Sequence, residues 1–208
     1  MAGGAAVTMN PEPLAPMCDI CFLGDGEILV PHLAQAFSSS TSREEFLDRL
    51  GESPGVYLPR LTRTMFEDSK IAGFLGPRPV IGLAGSLSDP ARTSVLTRDT
   101  AFGDMFLLET ARGCPFSCAF CSAREIYAPY RTAPLEVLSP ILDTASAHRD
   151  KVGLVSTSLN THPQAASLFA EITTRNLKIA PPSLRAGLVT PDLTEALAAS
   201  GVRGVTLA

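Results

Sequence analysis

From Met105 onward, strand-like and helix-like segments alternate, and this alternation limits the possible folds more than any other feature of the chain. Met105 to Glu109 is a short apolar run, and Pro134 to Arg149 carries Leu135, Leu138, Ile141, Leu142 and Ala145 at helical spacing. Val152 to Val155 is predicted as a strand, Pro163 to Arg175 as a helix, and Leu177 to Ala180 as a strand. Pro191 to Ala199 is predicted as a helix capped by Thr190 and closed by Gly201, before a fourth strand over Val202 to Leu207. Strand and helix in strict alternation build a parallel sheet or barrel with helices outside. The expected fold class is therefore α/β, with the first four βα units of a partial (β/α) barrel over residues 102–208. The absence of a helix after the fourth strand reads as a truncated barrel.

The preceding residues have a different texture. Cys18 to Leu23 is a buried strand by pattern, followed by a turn at Gly24-Asp25-Gly26-Glu27. Glu27 to Phe37 has helical spacing, with Pro31 expected in its first turns. Strand, turn and helix over 1–37 read as the remnant of a doubly wound α/β domain that needs neighbouring strands. Residues 38–101 read as a helix and a Pro/Gly-rich connector. A capping box at Thr41-Ser42-Arg43-Glu44 opens the helix, Phe46, Leu47 and Leu50 give it an apolar face, and Gly51 stops it. The connector has few periodic segments, with short strands expected near Val80 to Leu83 and Ser94 to Thr97.

Composition excludes several classes. A chain of 208 residues with 45% hydrophobic and 18% charged residues is too apolar to be disordered. Seventeen Lys and Arg against 21 Asp and Glu leave a net charge of −4, which argues against nucleic acid as a partner. No window offers the roughly 18 apolar residues of a membrane span. Met1 to Pro11 lacks the basic and apolar regions of a secretory signal, so a cytoplasmic setting is expected.

Three of the five cysteines fall in Gly113-Cys114-Pro115-Phe116-Ser117-Cys118-Ala119-Phe120-Cys121. Thiolates spaced Cys-x3-Cys-x2-Cys reach three corners of one iron–sulfur cubane from a single loop. Three protein ligands leave one iron open, the mark of a reactive centre, whereas electron carriers usually supply four cysteines. A structural zinc would need a fourth ligand, and the next histidine downstream, His148, lies in a predicted helix. Cys18 and Cys21 sit three apart in an apolar segment, where a strand would point them to opposite faces as ordinary buried thiols. His148 and His162 are expected to be structural or exposed, and no catalytic residue can be assigned from spacing.

The stretch from Phe102 through the cysteine loop to Cys121, with Phe120 just before the last cysteine, resembles the opening strand and cluster loop of the radical S-adenosylmethionine (radical SAM) superfamily. The resemblance implies a [4Fe–4S] cluster on Cys114, Cys118 and Cys121, with SAM chelating the open iron. It further implies reductive cleavage of SAM to a 5′-deoxyadenosyl radical, with electrons from a flavodoxin or ferredoxin. Many relatives hold the SAM amino group with Gly-Gly-Glu after the second strand. This chain has Ser156-Thr157-Ser158-Leu159-Asn160 there, so Ser156 or Ser158 stands in through a hydroxyl or a backbone carbonyl, with Ser158 the cofactor-binding candidate. Ser183 and Arg185, after the third strand, match positions near the SAM ribose or carboxylate, which an Arg suits by its fork geometry. Arg112, Arg124 and Arg131 flank the loop, and Tyr127 and Tyr130 resemble residues that follow it in relatives.

Upstream, Gly3-Gly4, Pro11-Glu12-Pro13-Leu14 and Gly24-Asp25-Gly26-Glu27 resemble the last strand and helix of the cobalamin-binding-like domain before many such cores, with Asp25 where Glu is usual. The Asp-x-His-x-x-Gly loop that ligates cobalt is not in the chain, so cobalamin is expected only if a region further upstream supplies it. Methylase and methylthiotransferase outcomes both stay open, as does an iron–sulfur protein without SAM chemistry. Substrate specificity is not legible from these residues.

Overall fold

The computed structural model describes all residues, Met1 to Ala208, which form two compact units, Met1–Gly85 and Ser86–Ala208.

In the first unit, α1 (Ala5–Met9) and a 3-10 turn at Ala15–Met17 lead into β1 (Cys21–Phe22). The strand expected over Cys18 to Leu23 is thus reduced to two residues, paired antiparallel with β2 (Val56–Tyr57) and bridged to Ala2. α2 runs Gly26–Ser39, so Pro31 lies inside the helix and removes one internal hydrogen bond. α3 (Arg43–Gly51) starts one residue away from the expected box. Ser42 accepts from the Glu45 N–H, and the Glu45 carboxylate takes the Thr41 N–H at 2.8 Å. The Thr41 N–H above all, with Arg49 and the Thr41 hydroxyl, holds the Glu45 carboxyl down at about 2.

The Gly-rich turn has a structural task. Gly24, at φ 116°, lets its backbone meet Gly82, where a Cβ would fall 1.9 Å from the Gly82 carbonyl oxygen. The Asp25 N–H donates to Gly82, and the buried Asp25 carboxylate accepts from the Ala84 N–H at 2.9 Å. The expected strand near Val80 to Leu83 is only this contact, a Gly24–Gly82 bridge. The connector also contains an antiparallel hairpin of β3 (Arg63–Glu67) and β4 (Lys70–Leu75), which its sequence had not announced.

The second unit centres on three parallel strands in the order β5 (Phe106–Glu109), β8 (Lys151–Val155), β9 (Lys178–Ala180). Between β5 and β8 the chain forms β6 (Ala111–Arg112), α4 (Ala123–Tyr127), β7 (Arg131–Thr132) and α5 (Leu135–His148). α6 (Ala165–Thr174) joins β8 to β9, and α7 (Pro191–Ala199) follows. Phe106, Leu108, Val152, Leu154 and Ile179 from the strands share one buried core with Leu138 and Leu142 of α5 and Leu168, Phe169 and Ile172 of α6. Leu107, Gly153 and Ala180 are paired across the other face. The Thr190 hydroxyl caps α7 by accepting from Leu193, as expected. The segment Ser94 to Thr97 is not a strand. Val202 to Leu207 joins only through a Leu184–Leu207 bridge, with Leu184 N–H bonded to Thr206 at 2.8 Å. Three ladder-forming strands, not four, therefore make this sheet.

Candidate functional site

The cysteine loop begins where β5 ends, at the carboxyl end of the parallel sheet, the end at which α/β folds place ligands. Its stem is the short β6–β7 ladder, with Ala111 opposite Thr132 and Arg112 opposite Arg131. Beneath the stem, Arg112 forms a two-pronged ion pair with Glu109, Nε–Oε1 and Nη2–Oε2 both at 2.7 Å, with both side chains largely buried. The second Glu109 oxygen also accepts the Ala91 N–H at 3.1 Å. Buried Arg131 donates through Nε to Pro129 and through Nη2 to Tyr127, tying down the returning end of the loop. The Thr157 hydroxyl donates to the Gly113 carbonyl, joining the loop to the residues after β8.

Gly113 turns the chain into the loop at φ 84°, and a Cβ there would lie 2.6 Å from the Tyr127 carbonyl oxygen. Gly113→Ala is therefore expected to cost about 1–3 kcal/mol, read as a lower urea midpoint for unfolding.

All five cysteines are free thiols. Cys114 and Cys118 are half-buried and Cys121 is exposed, with the Cys121 N–H turned back to the Cys118 carbonyl at 3.0 Å. The three do not close into one gathered set of metal ligands. Their chemistry nonetheless suits a cluster: soft donors, on one loop, unpaired by disulfides. A second observation fits a group at this end of the sheet. The Ser156 hydroxyl, next after β8, is buried with no hydrogen-bond partner.

Arg185 is brought to the cysteine loop. Its guanidinium stacks over Phe116 at 3.8 Å and points Nη1 at the Cys118 sulfur at 3.9 Å. Asn160 holds Arg185 in place by accepting its N–H at 3.1 Å and donating to its carbonyl at 2.9 Å. Buried Ser158 gives its hydroxyl hydrogen to the same Asn160 oxygen at 3.0 Å. Ser158 thus serves the loop-to-loop clamp, Ser183 is exposed, and the Phe120 ring is 93% exposed. Asn160 and Phe116 were in view in the sequence without a role. Only the meeting of three loops gives them one.

Tyr130 bonds Thr161 at 2.8 Å, and burial pushes its phenol above the usual range, against that bond and with the help of nearby Cys114. His162 is structural. Its Nε2 lies 3.0 Å from the Ala133 carbonyl, its Nδ1 takes the Gln164 N–H, and burial holds its pKa down. His148 is exposed on the last turn of α5.

Residues 1–59 match the family model described as radical SAM proteins, N-terminal. A protein of Methanocaldococcus jannaschii described only as uncharacterized protein MJ0966 is 28% identical over 199 residues, 95% of this chain and 40% of its own length. The solved structure of the radical S-adenosylmethionine methyltransferase TsrM from Kitasatospora setae, with cobalamin and a [4Fe–4S] cluster bound, shares the fold at a TM-score of 0.69 and 18% identity. The match covers 99% of this chain and 40% of TsrM, so the chain spans well under half the length of both relatives. Over residues 1–59 the chain is thus similar to the N-terminal part of radical SAM proteins, and as a whole it has a mixed α/β fold of the kind TsrM has.

Proposed function

We propose that this chain carries the cluster-binding part of a radical SAM enzyme, in which Cys114, Cys118 and Cys121 hold a [4Fe–4S] cluster and the loops after β8 and β9 bind SAM. The observation that carries this reading is the Arg185 guanidinium, delivered by the loop after β9 to the sulfur of Cys118. A fixed cation at this point offsets the negative charge of a thiolate-ligated cluster. The same fork suits the SAM carboxylate. Ser156, with its unpaired buried hydroxyl, and Ser158 and Ser183 supply polar groups for the amino group and ribose. Phe120 offers an uncovered ring to the adenine. When bound, the cluster supplies the electron that cleaves SAM to a 5′-deoxyadenosyl radical, and the protein's part is to position SAM and exclude water. The electrons come from a flavodoxin- or ferredoxin-type reductant, in a cytoplasmic setting. Six or more βα units make the complete barrel in the family, and this chain would contribute the first of them.

The test is anaerobic reconstitution with iron and sulfide, reduction, and electron paramagnetic resonance with and without SAM. A [4Fe–4S]⁺ signal that shifts when SAM is added is the expected result. A cluster signal indifferent to SAM, in this chain and in a longer one alike, favours an iron–sulfur binder without SAM chemistry.

A further inference from the structure

Cys18 and Cys21 are spaced three apart, and a continuous strand would separate their thiols. The structure breaks that expectation. The 3-10 turn Ala15–Met17 ends at Cys18, and β1 begins only at Cys21. The bend between them turns Cys18 inward, where it packs on the same buried cluster as Cys21, Val7, Leu23 and Tyr57. Burial above all, and then neighbouring Cys18, push the Cys21 thiol up to about 11. Cys21 is fully buried, whereas Cys18 is half-exposed beside exposed Met17 and Asp19.

From this juxtaposition we infer that Cys18 and Cys21 form a redox-active dithiol in the first unit, closing reversibly to an intramolecular disulfide by exchange with a small disulfide of the glutathione class. Cys18 is the attacking sulfur because only it can be reached from solvent. Its thiolate displaces one glutathione thiolate and leaves a mixed disulfide on Cys18. Cys21 then gives up its proton and attacks the Cys18 sulfur, releasing the second glutathione. Two protein thiols are oxidised and one small disulfide is reduced to two thiols, so the exchange balances. Two cysteines packed on one small cluster, with the strand starting only at the second, need an adjustment at the end of the 3-10 turn to bond. The link would fasten that turn to β1, the strand that pairs with β2 and bridges Ala2. Two thiols are too few to hold a metal by themselves, and no third candidate ligand joins them.

The experiment uses the whole chain. Arg43 is its first Lys or Arg, so trypsin releases residues 1–43 with Cys18 and Cys21 and none of the loop cysteines. The chain is equilibrated across ratios of reduced to oxidised glutathione, trapped with an alkylating agent in denaturant, digested and weighed. Expected is a change from a doubly alkylated peptide to one that carries no alkyl group and is two hydrogen atoms lighter than the free dithiol peptide, reversed by a dithiol reductant. In Cys18→Ser, Cys21 is expected to take no glutathione in the native chain. In Cys21→Ser, Cys18 is expected to keep a mixed disulfide. A wild-type peptide doubly alkylated at every ratio, or carrying glutathione without closing the link, overturns the inference. The cluster plays no part in this readout, so its outcome is independent of the proposed function.

Discussion

Arg112→Met is expected to lower the unfolding free energy of the chain by about 3–5 kcal/mol, because it strands a buried carboxylate. Glu109 is 8% exposed, and Arg112 reaches both of its oxygens at 2.7 Å. Methionine keeps much of the arginine stem and its packing, so the loss isolates the charge. The Ala91 N–H at 3.1 Å is the other hydrogen bond given to that carboxylate, and a neutral amide donor cannot replace a guanidinium. A domain of this size has a stability of roughly 5–15 kcal/mol, so the loss would be plain in a urea melt. Glu109→Gln combined with Arg112→Met removes both charges and should recover part of the loss, which a packing defect alone would not do. An Arg112→Met chain that unfolds at the wild-type urea midpoint would mean that the pair is solvated in solution. The pair also sets where the cysteine loop starts, since Arg112 is the last residue of β6 and Gly113 turns directly after it.

How much of this the sequence disclosed depended on whether a feature is local. The helix Pro191–Ala199 came out to the residue, because its cap and its stop are written in Thr190 and Gly201. The helix expected over Pro134 to Arg149 was found at Leu135–His148, since its apolar spacing is long and regular. The hairpin of β3 and β4 escaped notice, because most of its residues are exposed and no burial pattern imposes alternation on them. Val202 to Leu207 looks like a strand in composition, but a ladder needs a partner, and Leu184 supplies only a bridge. In the candidate site, the cysteine spacing was legible because the three cysteines lie on one loop. The clamp of Ser158, Asn160, Arg185 and Phe116 joins three loops that are far apart in the chain, and only folding makes it visible. For Cys18 and Cys21 it was the extent of the strand that differed. The apolar run was read as one strand, but a short 3-10 turn ends at Cys18 and the strand begins only at Cys21, so both side chains pack on one cluster.

Changing any one of Cys114, Cys118 and Cys121 to Ala is expected to remove cluster binding while leaving the fold intact. Cys121 is exposed and the other two are half-buried, so each substitution should alter unfolding free energy by only about 0.5 kcal/mol. The effect on iron is of another order. Loss of a residue that merely supports a ligand costs about 10–100-fold in metal affinity, and loss of a ligand should cost more. Iron and sulfide content after anaerobic reconstitution, set against the wild-type chain, reads this directly. Arg185→Met is the informative contrast, because it keeps all three thiols and removes the cation beside Cys118. It should fall within that 10–100-fold range and should weaken the spectroscopic response to SAM more than it weakens cluster loading. If Cys121→Ala keeps full iron while Cys114→Ala and Cys118→Ala lose it, the spacing does not describe the ligand set. If all three lose it and Arg185→Met loses only the SAM response, cluster binding and SAM binding belong to different loops of one site, with Asn160 holding the second to the first.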